Sequence, residues 1–546
     1  MTRTVTPDAR VGEEISTDGA ARGTEAAREG EQFSGPLPPE RFNMARYCLE
    51  AAVRDHPDKL ALVVLGGEPG TAVSERWTFR ELDIAVRRLA GGLTEAGVCR
   101  GMRIALMLGN RSSFALTFFA LLSCGAVAVP LSDQLSAQEI RRYLAEASVE
   151  GACYANDVFM PAERPRLTLD EATIRQHALH GPLRAPQDTH RDDPAFLIFT
   201  SGTGGRAKPV LHAHRSAWGR RPMYADWYGI SAADRVLHAG AFNWTYTLGT
   251  GLTDPWANGA TAIVSTRPRS GAEWPALIRE SDATLFAAVP GVYRQILERA
   301  PEGPIAVGAL RHALSAGEKM PDGIAHAWQA RTGTRIYEAF GMSEISTFIS
   351  ASPARAAVAG SIGRAQTGRA IAVLDPETGF RVATGEVGRL AVHRSDPGLM
   401  LEPDRAGSAT SDDAWFITGD LVAVDADGNV THHGRADDLI TAGGYRISPL
   451  EVERALGGCP GVEELAVAAV MLRDGLAILV AFVVAAESDD PRQALHDFAA
   501  STLAGYKRPR GYVLLDALPR TANGKLRRAA LAGCYRAEDD LFSPTS

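Results

Sequence analysis

Segments that suit amphipathic helices alternate along this chain with short apolar segments that suit buried strands. In residues 74–96, Thr78 can cap a helix whose apolar positions share one face: Leu82, Val86, Leu89 and Leu93. Residues 103–108 then read as a strand, and similar pairs recur at 273–280 before 285–289 and at 324–332 before 335–337. This alternation favours parallel sheets covered by helices on both faces. We therefore predict an α/β fold with a large N-terminal domain of this kind.

Residues 114–131 are almost continuously apolar and approach the length of a membrane span. Gly125 and Pro130 interrupt the segment, and residues 126–129 suit a strand better than a helix. We predict a buried helix followed by a parallel strand, and no membrane span.

A loop rich in Ser, Thr and Gly follows the apolar segment 195–199. The glycines at 202, 204 and 205 let backbone N–H groups approach an anion, and Lys208 adds positive charge. The hydroxyl groups of Thr200, Ser201 and Thr203 add further donors. Because Pro209 follows Lys208, the loop is not a Walker A loop. It predicts a nucleotide phosphate site, with a ligand-free surface turn as the alternative.

Four later segments follow this loop in a fixed order, at residues 340–344, 418–420, 434–438 and 519–525. With the loop they resemble the motifs of the acyl-adenylate-forming (AMP-binding) superfamily, in its acyl- and aryl-CoA ligase branch. The resemblance covers residues 42–528. It implies ATP-dependent activation of a carboxylic acid to an acyl-AMP, followed by formation of a CoA thioester. ATP and CoA are then co-substrates, and Mg²⁺ is the cofactor.

The character of the chain changes near Gly434. Downstream we predict helices at 449–456 and 491–503, and strands near 464–470, 476–484 and 511–515. These elements make a small α+β domain, which the resemblance implies is mobile. The predicted organisation is a disordered tail at 1–40, a large ATP- and acid-binding domain at 41–434, a hinge at 435–437 and the small domain at 438–546.

Composition agrees with an enzyme and argues against a nucleic-acid partner, because 57 basic and 65 acidic residues give a net charge of −8 over 546 residues. The first forty residues contain no apolar core segment and do not read as a signal peptide. The six cysteines are scattered without metal-binding spacing. We expect a cytoplasmic monomer or homodimer with reduced thiols and no membrane span.

The resemblance assigns roles to individual residues. Lys525, Glu344, Thr200 and Ser343 are the expected catalytic residues, with Glu344 supporting Mg²⁺ beside the phosphates. Asp420 is expected to accept hydrogen bonds from the ribose hydroxyls, and the ring of Phe340 to stack on adenine. The residues expected to bind the nucleotide are Ser201, Gly202, Thr203, Gly205, Lys208, Ser315, Gly317, Glu318, Phe340, Gly341, Asp420 and Arg435.

Two further groups of residues belong to the predicted small domain and the hinge. Lys525 is expected to bridge the carboxylate and the α-phosphate during adenylation, and Asp437 to be the hinge residue. After rotation of the domain, a different face is expected to line the CoA tunnel, with residues Gly443, Gly444, Tyr445 and Arg446.

The acid pocket is expected to include Phe242, Asn243, Trp244 and Gly317. Residues 241–249 carry no acidic side chain that could hold an ammonium group, which favours a simple carboxylate over an amino acid. Bulky side chains in this segment would shorten or flatten the pocket. We therefore predict an aryl or a short-to-medium-chain acid.

The loop departs from the family pattern at Gly204, Ala207 and Pro209, which leaves a catalytically silent nucleotide or acyl binder as an alternative. A stand-alone adenylating enzyme that delivers to a carrier protein is another, although no carrier domain follows residue 525 and CoA is favoured. The paired histidines His212 and His214, and His432 and His433, are expected to be solvated or capping side chains and not metal ligands.

Overall fold

The computed structural model describes residues 32–70, 72–158, 160, 165–201, 207–402, 414–436, 440–442, 445–473, 476–485, 491–520 and 526–536. One sheet has six strands in the spatial order Leu167–Asp170, Gly151–Tyr154, Arg103–Met107, Val127–Pro130, Pro194–Ser201 and Ala207–Ala213. Neighbouring strands are parallel except for the last pair, which forms an antiparallel hairpin at the edge of the sheet.

A second sheet has nine strands in the spatial order Arg364–Ala365, Ser346–Ser350, Ile336–Met342, His312–Ala316, Leu285–Ala288, Arg235–His238, Thr261–Ser265, Leu60–Leu65 and Val73–Thr78. The strands from Ile336–Met342 to Leu60–Leu65 are parallel, and the outer strands are antiparallel. The predicted alternation of helix and strand is confirmed.

Helices pack between the two sheets and share one core with both of them. They are Met44–Asp55, Phe79–Glu95 and Ser112–Ser123. Thr78 caps the second of these helices in a reciprocal capping box with Glu81. Every residue of Ser112–Ser123 is buried, and strand Val127–Pro130 follows, as predicted for the apolar segment 114–131. Within the parts of the chain that the structure describes, no helix is long and apolar enough to cross a membrane.

Other helices cover the outer faces of the sheets. Trp274–Glu280, Pro290–Arg299 and Asp322–Thr332 pack on the nine-stranded sheet. Ala137–Glu146 packs on the six-stranded sheet through Ile140, and Glu171–His180 contacts the shared core. The short helical segments of the large domain are Ser216–Gly219, Arg221–Met223, Tyr224–Tyr228, Thr245–Leu248, Gly249–Thr253 and Asp254–Ala257.

An antiparallel sheet of four strands follows the two large sheets. Its strands are Ile371–Leu374, Gly388–His393, Trp415–Val424 and Val430–Arg435. The third of these strands continues through Gly419 and Asp420 to Val424, and its register pairs Asp420 with Arg435.

The C-terminal part has the predicted α+β character. Helix Pro449–Leu456 and helix Arg492–Thr502 pack on one face of a three-stranded sheet. The strands are Val462–Arg473, Leu476–Ala485 and Gly511–Leu514, and helix Arg528–Leu531 packs on the other face. Strand Ile440–Ala442 pairs with Tyr445–Ile447 in a separate hairpin. The domain and hinge boundaries stay predictions.

Candidate functional site

The predicted phosphate loop connects the two strands at the edge of the six-stranded sheet. Thr200 lies opposite Lys208 in the antiparallel register, and the Thr200 hydroxyl donates a hydrogen bond to the Lys208 carbonyl at 3.3 Å. Pro209 lies on the edge strand, where a missing N–H is tolerated. Gly202, Thr203, Gly204 and Gly205 lie outside the described residues, and Ser201 and Ala207 are described by their backbone only.

Ser343 and Glu344 lie in the tight turn between strands Ile336–Met342 and Ser346–Ser350. A β-bulge occurs at Gly341, where a Cβ atom would lie 2.2 Å from the Ser346 carbonyl oxygen. The chain therefore needs glycine at this position to bring the two strands together ahead of the turn.

Two hydrogen bonds hold the backbone of this turn. The Nε2–H of His212 donates to the Ser343 carbonyl at 2.8 Å, and the Met400 N–H donates to the Glu344 carbonyl at 2.7 Å. His212 lies four residues after Lys208 on the same strand. The phosphate hairpin and the turn that carries Glu344 are thus in direct contact.

His212 and His214 are buried, so neither side chain is solvated, but His214 is a capping side chain because it accepts from the first N–H of helix Met44–Asp55. They are 2% and 0% exposed, and the His212 ring stacks on Phe196 with 4.7 Å between ring centroids. The Met44 N–H donates to Nδ1 of His214 at 3.1 Å. Burial lowers the pKa of each imidazole to about 4, so both are neutral near pH 7.

A buried ion pair contacts the start of the strand that follows this turn. Arg220 and Asp254 are 6% and 1% exposed, and the Arg220 Nε and Nη2 groups donate to the carboxylate at 2.8 and 2.6 Å. Nη1 of Arg220 donates to the hydroxyl of Ser346, which has a left-handed backbone with φ of +73°. Gly249 makes room for the guanidinium, because a Cβ atom there would lie 2.1 Å from its carbon.

Several of the residues predicted to bind adenosine lie close to one another beside this turn. The register of Ala316 with Ala339 places exposed Gly317, with φ of +93°, beside Phe340 on the neighbouring strand. The Phe340 ring lies 5.2 Å from the His432 ring between centroids. Ser315 is fully buried, and Glu318 is half-buried beyond Gly317.

Asp420 lies beside this group and is 6% exposed. Nε2–H of His432 donates to Oδ1 of Asp420 at 3.0 Å, and Nη1 of Arg435 lies 3.8 Å from Oδ2. A Cβ atom at Gly419 would lie 2.4 Å from Nη2 of Arg435, so glycine lets the guanidinium cross the strand. The structure thus gathers Phe340, Asp420 and Arg435, although their individual roles stay predictions.

The segment predicted to form the acid pocket follows strand Arg235–His238. Phe242 is 3% exposed and stacks on Phe114 at 4.9 Å, so its ring belongs to the core between the sheets. Asn243 and Trp244 are half-buried, and Trp244 immediately precedes helix Thr245–Leu248. Of the three residues predicted here, Asn243 and Trp244 are therefore the two that are not enclosed in this core.

Several predicted site residues cannot be placed. Lys525, Asp437, Gly443 and Gly444 lie outside the described residues, and Tyr445 and Arg446 are described by their backbone only. Their roles stay predictions. The small C-terminal sheet contacts the large domain through an ion pair between Glu464 and Arg294, and Arg520 also contacts Glu464 at 2.8 Å.

Sequence reasoning did not assign two contacts of the site. One contact is the hydrogen bond from His432 to Asp420. The sequence feature that could have identified this contact was the position of His432 on a strand that could pair with the strand of Asp420. The Arg220–Asp254 pair had no local signal, because the partners are 34 residues apart. Among the residues that the structure describes, no group of three or more His, Cys, Asp or Glu side chains could hold a metal ion.

Known protein families and individual proteins match this chain over most of its length. Residues 49–401 match the AMP-binding enzyme family, and residues 451–525 match the AMP-binding enzyme C-terminal domain. A 3-hydroxybenzoate–CoA/4-hydroxybenzoate–CoA ligase of Thauera aromatica is 31% identical, over 87% of this chain and 94% of its own. A benzoate–CoA ligase of the same organism is 28% identical, over 90% of this chain and 96% of its own.

Solved structures of CoA ligases have the same fold. An anthranilate CoA ligase in complex with anthranoyl-AMP has a TM-score of 0.78 at 26% identity, covering 91% of this chain and 98% of its own. A benzoate CoA ligase from Burkholderia xenovorans LB400 has a TM-score of 0.78 at 27% identity, covering 90% and 100%. The chain belongs to the AMP-binding enzyme family, in the branch of the acyl-adenylate-forming enzymes whose members are CoA ligases.

Proposed function

We propose that this protein is an ATP-dependent ligase that activates an aryl carboxylic acid as its acyl-AMP and then transfers the acyl group to CoA. The observation that carries the proposal is the grouping of Phe340, Asp420, His432 and Arg435 beside the Ser343–Glu344 turn. An aromatic ring, a carboxylate and a guanidinium are the groups that adenine, a ribose diol and a phosphate require. His432 orients the carboxylate, which leaves oxygen lone pairs for the ribose hydroxyls.

Adenylation requires charge stabilisation at the phosphates while the acid attacks the α-phosphate. Thr200, Ser343 and Lys208 offer hydroxyl and ammonium donors on the two elements that His212 joins. Lys525 of the C-terminal domain would add a charge at the reacting carboxylate and α-phosphate. In the second step the CoA thiol would attack the acyl carbonyl carbon of the acyl-AMP and displace AMP, with residues 443–446 lining the CoA tunnel.

Mg²⁺ fits the donors near this turn. Glu344 supplies one half-buried carboxylate, and the described residues provide no cluster that would form an all-protein metal cage. Mg²⁺ characteristically takes one or two carboxylates and completes its shell with water and substrate phosphates. Glu344 would hold the ion, which neutralises phosphate charge when it is bound.

An aryl acid is favoured over a straight-chain acid. Relatives named for benzoate, hydroxybenzoate and anthranilate support this choice. Trp244 lies half-buried at the start of helix Thr245–Leu248, where its flat ring can lie against a planar acid. The segment 241–249 carries no carboxylate for an ammonium group.

Pyrophosphate release tests the proposal directly. The protein, ATP and Mg²⁺ are mixed with benzoate, 3-hydroxybenzoate, 4-hydroxybenzoate, 2-aminobenzoate or hexanoate, with and without CoA, and the thioester is detected separately. Aryl acids should release pyrophosphate and yield thioester with CoA. Asp420→Ala should raise KM for ATP, while Asp427→Ala, an exposed acidic residue in the same sheet region, should not.

The outcomes separate the alternatives. ATP binding without pyrophosphate release from any acid would indicate a catalytically silent binder. Pyrophosphate release with no thioester from CoA would indicate an enzyme that delivers to a carrier protein. A preference for hexanoate over every aryl acid would contradict the aryl assignment.

A further inference from the structure

His238 is a buried histidine directly beside the segment that we assign to the acid. It is the last residue of strand Arg235–His238 and is 4% exposed. Its ring meets the Tyr246 ring edge-on, with 4.5 Å between centroids and 72° between planes. Glycines on two sides make room for it, because a Cβ atom at Gly240 would lie 3.0 Å from its Cε1 and one at Gly251 would lie 2.9 Å from its Cβ.

The hydrogen bonds of this ring determine which nitrogen carries the proton. The Gly240 N–H donates to Nδ1 at 2.9 Å, so Nδ1 presents its lone pair. The neutral ring must then carry its hydrogen on Nε2. Burial and the nearby positive charge of Arg220 lower the pKa of His238 to about 3, so the ring stays neutral at physiological pH.

The Nε2–H group has no hydrogen-bond partner among the described residues, and the atom is buried. A buried donor without an acceptor is costly to folding, so such groups in native proteins call for an explanation. His312 shows the ordinary arrangement, since it is equally buried and its Nε2 donates to the Tyr228 carbonyl at 2.9 Å.

His238 faces the side of the nine-stranded sheet on which the acid segment packs. The parallel register aligns His238 with Ala287, and Ala287 with Leu314, so these side chains share one face. The Tyr246 hydroxyl donates to the Leu314 carbonyl from that side at 3.3 Å. The small side chain of Ala287 lies next to His238 on this face, and Ala316 lies on the same face one strand further along, at the carboxyl ends of the strands. Ligands of open parallel sheets bind at these ends.

We propose that the acid carries an oxygen substituent, such as a hydroxyl or methoxy group, that accepts a hydrogen bond from Nε2–H of His238. This inference rests on the proposed function, and it makes His238 a specificity residue for ring-oxygenated aryl acids. A site with an unused buried donor discriminates against an analogue that lacks the acceptor, because that donor then stays unpaired. An amino substituent is a poor acceptor and should not replace the oxygen.

The test compares kcat/KM for benzoate with kcat/KM for its hydroxy and methoxy derivatives. The wild-type protein should prefer the best oxygenated acid over benzoate by about tenfold to hundredfold, the scale of one buried hydrogen bond. His238→Phe retains an aromatic ring and removes the donor. His238→Asn retains an acceptor for the N–H two residues along the chain and removes the Nε2–H group. Both variants should lose most of the preference, because kcat/KM for the oxygenated acid should fall much further than kcat/KM for benzoate.

His312→Phe is the matched control, since it removes a buried histidine whose donor is already satisfied. It should leave the preference unchanged. A second readout needs no catalysis: the oxygenated acid should raise the Tm of the wild-type protein more than benzoate does, and this difference should vanish in His238→Asn.

The outcomes separate this inference from the function on which it rests. If no acid releases pyrophosphate, the proposed function fails. If aryl acids react but the wild-type protein shows no preference for an oxygen substituent, the role of His238 is overturned even if neither variant folds. An unchanged preference in folded His238 variants, or an equal loss in His312→Phe, would overturn it as well.

Discussion

Nε2 of His212 lies 2.8 Å from the carbonyl oxygen of Ser343. His212 belongs to the edge strand of the six-stranded sheet, and Ser343 belongs to the turn after a strand of the nine-stranded sheet. This one hydrogen bond therefore joins the element that carries Lys208 to the element that carries Glu344. The two groups proposed to handle the phosphates are kept at a set separation by a neutral, buried imidazole.

We expect His212→Leu to lower kcat/KM for pyrophosphate release by roughly tenfold to hundredfold. The substitution leaves the half-buried Ser343 carbonyl without its donor, which costs about 1–3 kcal/mol and loosens the turn. His214→Leu is the matched control, since it removes an equally buried histidine that bonds to Met44 instead. Steady-state kinetics and urea unfolding are measured on both. Equal kinetic losses in the two variants would contradict a specific role for His212.

The Arg220–Asp254 pair should matter more to stability than any exposed ion pair. Arg220→Met leaves the Asp254 carboxylate buried without its partner, which should reduce the free energy of unfolding by about 3–5 kcal/mol. Ser346→Ala removes one hydrogen bond from Arg220 and keeps the pair, so it should cost only about 1 kcal/mol. Arg54→Ala, in the exposed pair with Asp55, should change stability little. Urea denaturation gives the free energy of unfolding of each of the three variants. A different order of the three losses would contradict the larger contribution of the Arg220–Asp254 pair to stability.

Gly341→Ala should abolish or strongly reduce adenylation. The added Cβ would lie 2.2 Å from the Ser346 carbonyl and 2.4 Å from Cα of Thr347, which are backbone atoms that cannot move independently of the turn. Gly323→Ala is the control, because that position lies in helix Asp322–Thr332 with open space around the added atom. It should raise stability by up to about 1 kcal/mol through helix propensity. Pyrophosphate release and Tm are measured for both, and full activity in Gly341→Ala would show that the hairpin can open at this bulge.

Stability should fall as the pH is lowered below about 6.5. The pKa values of four buried histidines are depressed, to about 4 for His212, His214 and His312 and about 3 for His238. A depressed histidine pKa contributes stability that is present above the unfolded value and is lost as the pH falls toward the folded value, because only the unfolded chain takes up the proton.

The Glu338 carboxyl gives stability the opposite dependence on pH. Burial raises its pKa to about 7, so its contribution is present below about 4.5 and is lost as the pH rises to about 7. Four histidines outweigh one carboxyl, and the free energy of unfolding should decrease between about pH 6.5 and pH 5. Each excess proton bound by the unfolded chain contributes about 1.4 kcal/mol per pH unit. Urea unfolding across this range measures how steeply the free energy of unfolding changes with pH. His214→Leu should reduce this slope by the contribution of about one proton. A free energy of unfolding that does not change over this pH range would contradict the depressed pKa values of the histidines.

Lys525→Ala should separate the two half-reactions. Removing a charge aimed at the transition state should slow acyl-AMP formation by about hundredfold or more, while supplied acyl-AMP should still react with CoA. Single-turnover assays of each half-reaction measure the difference. Arg520→Ala, five residues earlier in the same motif, is the control. Equal loss of both half-reactions in Lys525→Ala would refute the division of labour.

The sequence by itself determined the alternation of elements, several of their boundaries and the order of the motifs. Helix Phe79–Glu95 with its cap at Thr78, and helix Pro449–Leu456, agree with prediction because caps and apolar periodicity depend on neighbours within a few residues. The family followed from five short motifs, each of which is local.

Only the tertiary structure decided which distant groups meet. The bonds of His212 to Ser343 and of Arg220 to Asp254 and Ser346 depend on how strands and helices from separate parts of the chain pack. The position of Asp420 within a strand, opposite Arg435 and bonded to His432, depends likewise on a pairing register that tertiary packing selects. A histidine reads the same in a sequence whether it is solvated or buried, and burial is what makes these imidazoles neutral and gives His238 an unused donor.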